Sequence, residues 1–152
     1  MSRAQKAKEL FLKGYACSQA IVLAFSEVTG LDSATIEKLS LPFGGGMGRL
    51  RLTCGAVSGA ALVIGSVFSD TGVNPENKKR VYAIVQEVSK KIKEENGSLI
   101  CGELLSNMKL PVETGGVAEQ RSAEYYKKRS CGDIVAKVAQ ILEDYLKENG
   151  KL

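Results

Sequence analysis

The stretch GAVSGAALVIGSVF, Gly55 to Phe68, carries no charge and is almost wholly apolar. A run like this constrains the fold more than any other feature of the chain. Crossing a bilayer takes about 20 apolar residues, and this run is shorter and broken by serines and glycines. It therefore reads as a helix from Cys54 to Phe68, capped by Thr53, whose all-round hydrophobicity makes it the central helix of a soluble core. No other segment is a membrane-span candidate, and no membrane insertion is expected.

The rest of the chain is helical in pattern and punctuated by glycine. Ala4, Ala7, Leu10 and Phe11 share a face that ends near Gly14. A second helix runs from Cys17 to Thr29, and Gly30 closes it. Asp32 caps a third, which Pro42 prevents from continuing past Leu41. Asn74 and Pro75 supply the cap and first turn of a long helix ending at Asn96 and Gly97. Ser98 opens a short helix bearing Cys101, Leu104 and Leu105. Asn107 to Gly116 is a loop, Val117 to Lys128 a polar helix, and Ser130 with Asp133 a capping-box pattern for the last helix. That helix carries Cys131, Ile134, Val135, Val138, Ile141 and Tyr145 on one stripe. No strand alternation and no internal repeat is present. The expected class is all-α, one compact domain over residues 1–152, a bundle of about seven or eight helices.

Charge and composition exclude several function classes. The net charge of +4 is modest, and acidic residues flank each lysine-rich run. These runs read as solvated helix faces, so no nucleic-acid partner is expected. The start of the chain has no unbroken hydrophobic segment of the kind a signal peptide needs, which points to a cytoplasmic protein, where lasting disulfides are uncommon. The chain contains no histidine. That removes Cys-His and Ser-His catalysis and every histidine-containing metal site.

Four cysteines are left to carry the chemistry: Cys17, Cys54, Cys101 and Cys131. Each falls in the first turn of an expected helix and on its apolar stripe. Unpaired amides and the helix dipole favour negative charge there, and so favour thiolate over thiol. No Cys-x-x-Cys pair is present, so any shared site must be assembled by the fold. Gly44, Gly45 and Gly46 open a flexible loop before Cys54, with amides able to meet an anion or a sulfur. The loop lacks the Gly-Lys-Ser/Thr ending of a P-loop, and no nucleotide is expected. Gly55 and Gly59 stand four apart on one helix face, where a second backbone can approach closely. Tyr15, Arg49 and Arg51 lie near cysteines in sequence, with surface or packing roles favoured for each.

These residues resemble a four-cysteine family with a suspected redox role, named for its pattern C_GCAxxG_C_C. The resemblance runs through Gly14-Tyr15-Ala16-Cys17-Ser18-Gln19-Ala20, Phe43-Gly44-Gly45-Gly46-Met47-Gly48 and Cys54-Gly55-Ala56-Val57-Ser58-Gly59. Cys101-Gly102-Glu103-Leu104-Leu105 and Cys131 with Ile134-Val135 complete it. It departs from the pattern at Ala16, where a polar residue is expected, at Gly132, where proline is frequent, and at Thr53 in place of glycine. The resemblance implies a helical prokaryotic protein with a redox role and leaves its substrate open.

Three functions fit these residues. Four thiolates from Cys17, Cys54, Cys101 and Cys131 suit an iron–sulfur cluster or another soft metal, with Gly44, Gly45, Gly46, Gly55 and Gly59 as cofactor-side glycines. Alternatively, Cys54 is the nucleophile and Cys17 the resolving partner of a thiol–disulfide oxidoreductase. Either implies an electron partner. The third is a non-catalytic helical module, with a homodimer joined through small-residue faces and cysteines that only pack.

Overall fold

The computed structural model describes residues 1–152. It is α-helical: α1 (Arg3–Leu12), α2 (Cys17–Ala24), α3 (Ser26–Thr29), α4 (Ser33–Ser40), a 3-10 turn (Leu41–Phe43), α5 (Gly44–Met47), α6 (Gly55–Phe68), α7 (Pro75–Asn96), α8 (Cys101–Asn107), α9 (Ala123–Lys128) and α10 (Cys131–Glu148). Apart from the four-residue pieces α3 and α5, eight helices remain, in keeping with the expected bundle. The one extended pairing is an isolated antiparallel bridge between Thr53 and Ile100. No helix is long and apolar enough to cross a membrane.

Local signals account for most helix ends. Ser2 and Gln5 form a reciprocal capping box on α1, Asp32 caps α4 through the Thr35 amide, and Asn74 caps α7 ahead of Pro75. Gly30 and Gly97 close α3 and α7 in the left-handed conformation.

Four expectations are corrected. The Cys17–Thr29 helix is broken at Phe25, whose φ of −111° and ψ of 21° leave the helical region. Phe25 is fully buried, so the chain bends to seat its ring in the core. Thr53 does not cap α6, because its backbone is engaged in the bridge to Ile100, and Cys54 takes the N-cap position. Helix α9 begins only at Ala123, leaving 109–121 without regular structure. Ser130 makes no side-chain cap to α10; Asp133 pairs instead with Lys8 of α1 at 2.6 Å.

The centre of the fold is α2 rather than α6. Every residue from Ser18 to Phe25 is buried, whereas α6 leaves Ser58, Ala61, Leu62, Gly65 and Ser66 at least partly open. Apart from Leu62, the side chains named on that face are small and expose little apolar area, so the cost of solvating it is low. Helix α2 packs against α1, α4, α6 and α10, and α1 lies along α10. The α2–α6 approach is close: a Cβ on Gly59 would stand 2.9 Å from both Ile21 Cβ and the Ser18 carbonyl oxygen. Phe11, Phe25, Ile21, Ile64, Leu142 and Leu146 are among the largest fully buried side chains.

A candidate redox site of four cysteines

All four cysteines line one cavity of about 320 Å³, and all four are free thiols. Segments far apart in sequence are brought together by the bridge. In it the Cys54 amide donates to the Leu99 carbonyl at 2.8 Å, and the Cys101 amide to the Leu52 carbonyl at 2.6 Å. The starts of α6 and α8 are thus tied side by side. Cys17 and Cys131 arrive as the first residues of α2 and α10. Close contact joins α2 to the start of α6, where a Cβ on Gly55 would lie 3.3 Å from Cys17 Cβ.

Every cysteine therefore stands at a helix start, as the sequence indicates. The start of α2 carries half of a capping box: Gln19 Oε1 accepts from the Ala16 amide at 2.9 Å, and Ala16 has no side-chain oxygen to reciprocate.

At Cys17, Cys54 and Cys131 the thiolate preference expected from the helix dipoles does not follow. Burial pushes the Cys54 thiol up to about 11, against the pull of the Ala56 and Val57 amides, and the charges of Cys101 and Cys131 add to the rise. Burial also raises Cys17 well above its ordinary value, with Cys131 and Cys54 contributing. It raises Cys131 too, although Arg129 opposes it. Desolvation outweighs the dipole in this cavity.

A pH test follows. With its thiol near 11, Cys54 holds about one part in ten thousand as thiolate at neutral pH. In the metal-free protein its alkylation rate should keep rising roughly tenfold per pH unit beyond pH 9; a plateau by pH 9 contradicts the burial. The raised folded value means that this contribution to stability is intact below the unfolded thiol's range, near 8.5, and lost as pH rises through 11.

The glycine loop is a strained turn. From Gly45 to Arg49 every residue has a positive φ, between 57° and 69°, and Arg51 follows at 61°. Helix-type bonding over α5 is thus wound in the left-handed sense at Gly45 and Gly46. The non-glycine members Met47, Arg49 and Arg51 each cost about 1–2 kcal/mol in this conformation. The turn packs onto the cysteines: a Cβ on Gly46 would stand 2.6 Å from Cys101 Cβ and 2.7 Å from the Leu52 nitrogen. Gly44, Gly45, Gly46 and Gly55 line the cavity. Gly59 is not among the lining residues and serves the α2–α6 contact.

The turn also delivers arginines. Arg51 Nη1 donates to Cys101 Sγ at 3.7 Å and Nε to the Glu113 carbonyl at 2.9 Å. Arg49 Nη1 donates to the carbonyls of Gly115, at 3.0 Å, and Val117, and its Nε is buried without a partner. Together they hold the 109–121 segment over the cavity. Arg121 lies 4.2 Å from the Phe11 ring centroid and 5.0 Å from that of Tyr125, and donates to the carbonyls of Phe11 and Tyr15. Arg129 covers Tyr125 at 4.7 Å. The sequence places Arg49 and Arg51 near a cysteine but favours bland roles for them. It gives no sign of Arg121, Tyr125 or Arg129, because their segment reads as a polar helix.

The family model described as "Putative redox-active protein (C_GCAxxG_C_C)" matches residues 15–145, which hold all four cysteines and the glycine turn. The chain belongs to this family. No curated protein and no solved structure matches it. For a C_GCAxxG_C_C protein the arrangement gives the four pattern cysteines a common physical address, one cavity walled by the glycine turn and roofed by residues 109–121.

Proposed function

We propose that the cavity is a redox centre in which Cys17, Cys54, Cys101 and Cys131 bind an iron–sulfur cluster through their thiolates. The observation that carries this reading is the convergence of four helix-start thiols on one 320 Å³ cavity with Arg51 donating to a sulfur. No three of the side chains stand close enough to hold a single metal ion. Binding a cluster therefore requires the four sulfurs to draw together around it, within the cavity that they already share. A bound cluster would supply one-electron transfer. The chain's own part is to hold the sulfurs, shield them from water, and steady their negative charge with Arg51, Arg121, Arg129 and the Ala56 and Val57 amides. Hydrogen bonds and burial of this kind set a cluster's potential.

The test is anaerobic reconstitution of the full chain with iron and sulfide. Bound iron and acid-labile sulfide, a broad visible absorption band, and loss of both in the Cys101→Ser variant are expected. A colourless, iron-free product from folded protein refutes the cluster.

A second reading has its own support, the direct contact of the Cys17 and Cys54 segments through Gly55. There Cys54 attacks a disulfide and Cys17 resolves it. The raised Cys54 thiol weighs against this, since the free thiolate is the attacking species, whereas a coordinating metal would itself deprotonate the thiol it binds.

A further inference from the structure

We propose that the arginine side of the same cavity binds a small inorganic oxyanion of about the size of sulfate, with Arg51 as its principal anchor. This goes beyond the redox reading and concerns binding alone, so it does not rest on that reading. Four arginines, Arg49, Arg51, Arg121 and Arg129, line the cavity, and Glu119 is the sole carboxylate among the lining residues. Arg49 and Arg129 have acidic partners, Glu113 and Glu119, whose side chains are largely exposed. Arg51 and Arg121 pair with carbonyls, a sulfur and a tyrosine hydroxyl, and with no carboxylate.

Arg51 carries the inference furthest. It is only 8% exposed, and its Nε and Nη1 are engaged while Nη2 has no protein partner. Arg51 lines the cavity with no carboxylate against it and keeps Nη2 to donate to an anion, a charge-assisted contact stronger than a neutral one. The backbone holds Arg51 there at a φ of 61°, a cost that such sites bear when the side chain must point one way. Low-dielectric walls concentrate the field of the four guanidiniums on the interior. Arg121 is held in place by its contacts with the Phe11 and Tyr125 rings and its bonds to the Phe11 and Tyr15 carbonyls.

Inorganic sulfate is the probe, because it cannot be reduced by thiols and so reports binding alone. The metal-free, anaerobically reduced full chain is titrated with sodium sulfate at constant ionic strength set with sodium chloride, by calorimetry and by melting temperature. Saturable binding that raises the melting temperature is expected. Arg51→Gln should weaken it by at least about tenfold, the share of one charge-assisted contact, and Arg129→Gln by a smaller factor. Circular dichroism checks that each variant folds; Arg129→Gln carries the test if Arg51→Gln does not fold. Sulfate no better than chloride, or folded variants that bind as the parent does, overturns the proposal. The two readings fail separately. A reconstituted cluster with no sulfate binding removes the oxyanion site alone, and sulfate binding by a protein that takes up no iron removes the cluster alone.

Discussion

Gly46→Ala is expected to lower unfolding stability by about 3 kcal/mol and to drive Cys101 out of the shared cavity. Two costs combine. The first is conformational: Gly46 has a φ of 69°, where an L side chain costs about 1–2 kcal/mol. The second is steric. The new Cβ would meet Cys101 Cβ at 2.6 Å, the Leu52 nitrogen at 2.7 Å and Arg51 Cα at 2.8 Å. Two of those atoms are backbone and belong to the bridge segment, so they cannot step aside as a flexible side chain would. Overpacking of this kind costs about 1–3 kcal/mol. Urea denaturation measures the loss, and, on the proposed cluster, iron bound per folded molecule after reconstitution measures the displacement of Cys101. Gly45→Ala is the control. It shares a positive φ, of 66°, but its Cβ would meet only the Arg49 side chain at 3.4 Å or more, so it should show the conformational cost without the loss of iron. Equal effects from both substitutions would show that Gly46 is not a steric keystone.

Phe25→Ala should destabilise the fold by about 3–5 kcal/mol, the range for deleting a buried aromatic ring. Its ring is fully buried, lies 5.6 Å from the Arg3 guanidinium, and occupies the break between α2 and α3. The cavity it leaves is remote from the cysteine cluster, whose lining does not include it. On the proposed cluster, iron per folded molecule should therefore stay at the parent level at low temperature, while the urea midpoint falls. A loss under about 1 kcal/mol would mean that the α2–α3 bend relaxes and fills the space. Set against Gly46→Ala, it separates damage to the core from damage to the site.

The parts of this protein legible in its sequence are those decided by a few neighbouring residues. Asp32, Asn74 with Pro75, and Gly97 mark real helix ends because a cap is a bond between residues three or four apart. The same locality places each cysteine at a helix start. Where a residue had a distant alternative, the local signal lost. Thr53 gave up its cap to pair with Ile100, Asp133 turned to Lys8, and Phe25 left the helix to bury its ring. Residues 117–121 carry helix-compatible side chains, yet Arg49 takes the Val117 carbonyl and Arg121 reaches back to Phe11 and Tyr15.

By itself, then, the sequence determined an all-helical chain, four thiols at helix starts, and a glycine turn able to wind the left-handed way, because each depends on short-range sterics and hydrogen bonds. Only the tertiary structure decided that the four thiols share a cavity, that arginines from two distant segments surround them, and that burial overrides the helix dipoles on Cys17, Cys54 and Cys131. Desolvation and charge are set by what surrounds a group in space, and for these sulfurs the neighbours come from chain segments dozens of residues away.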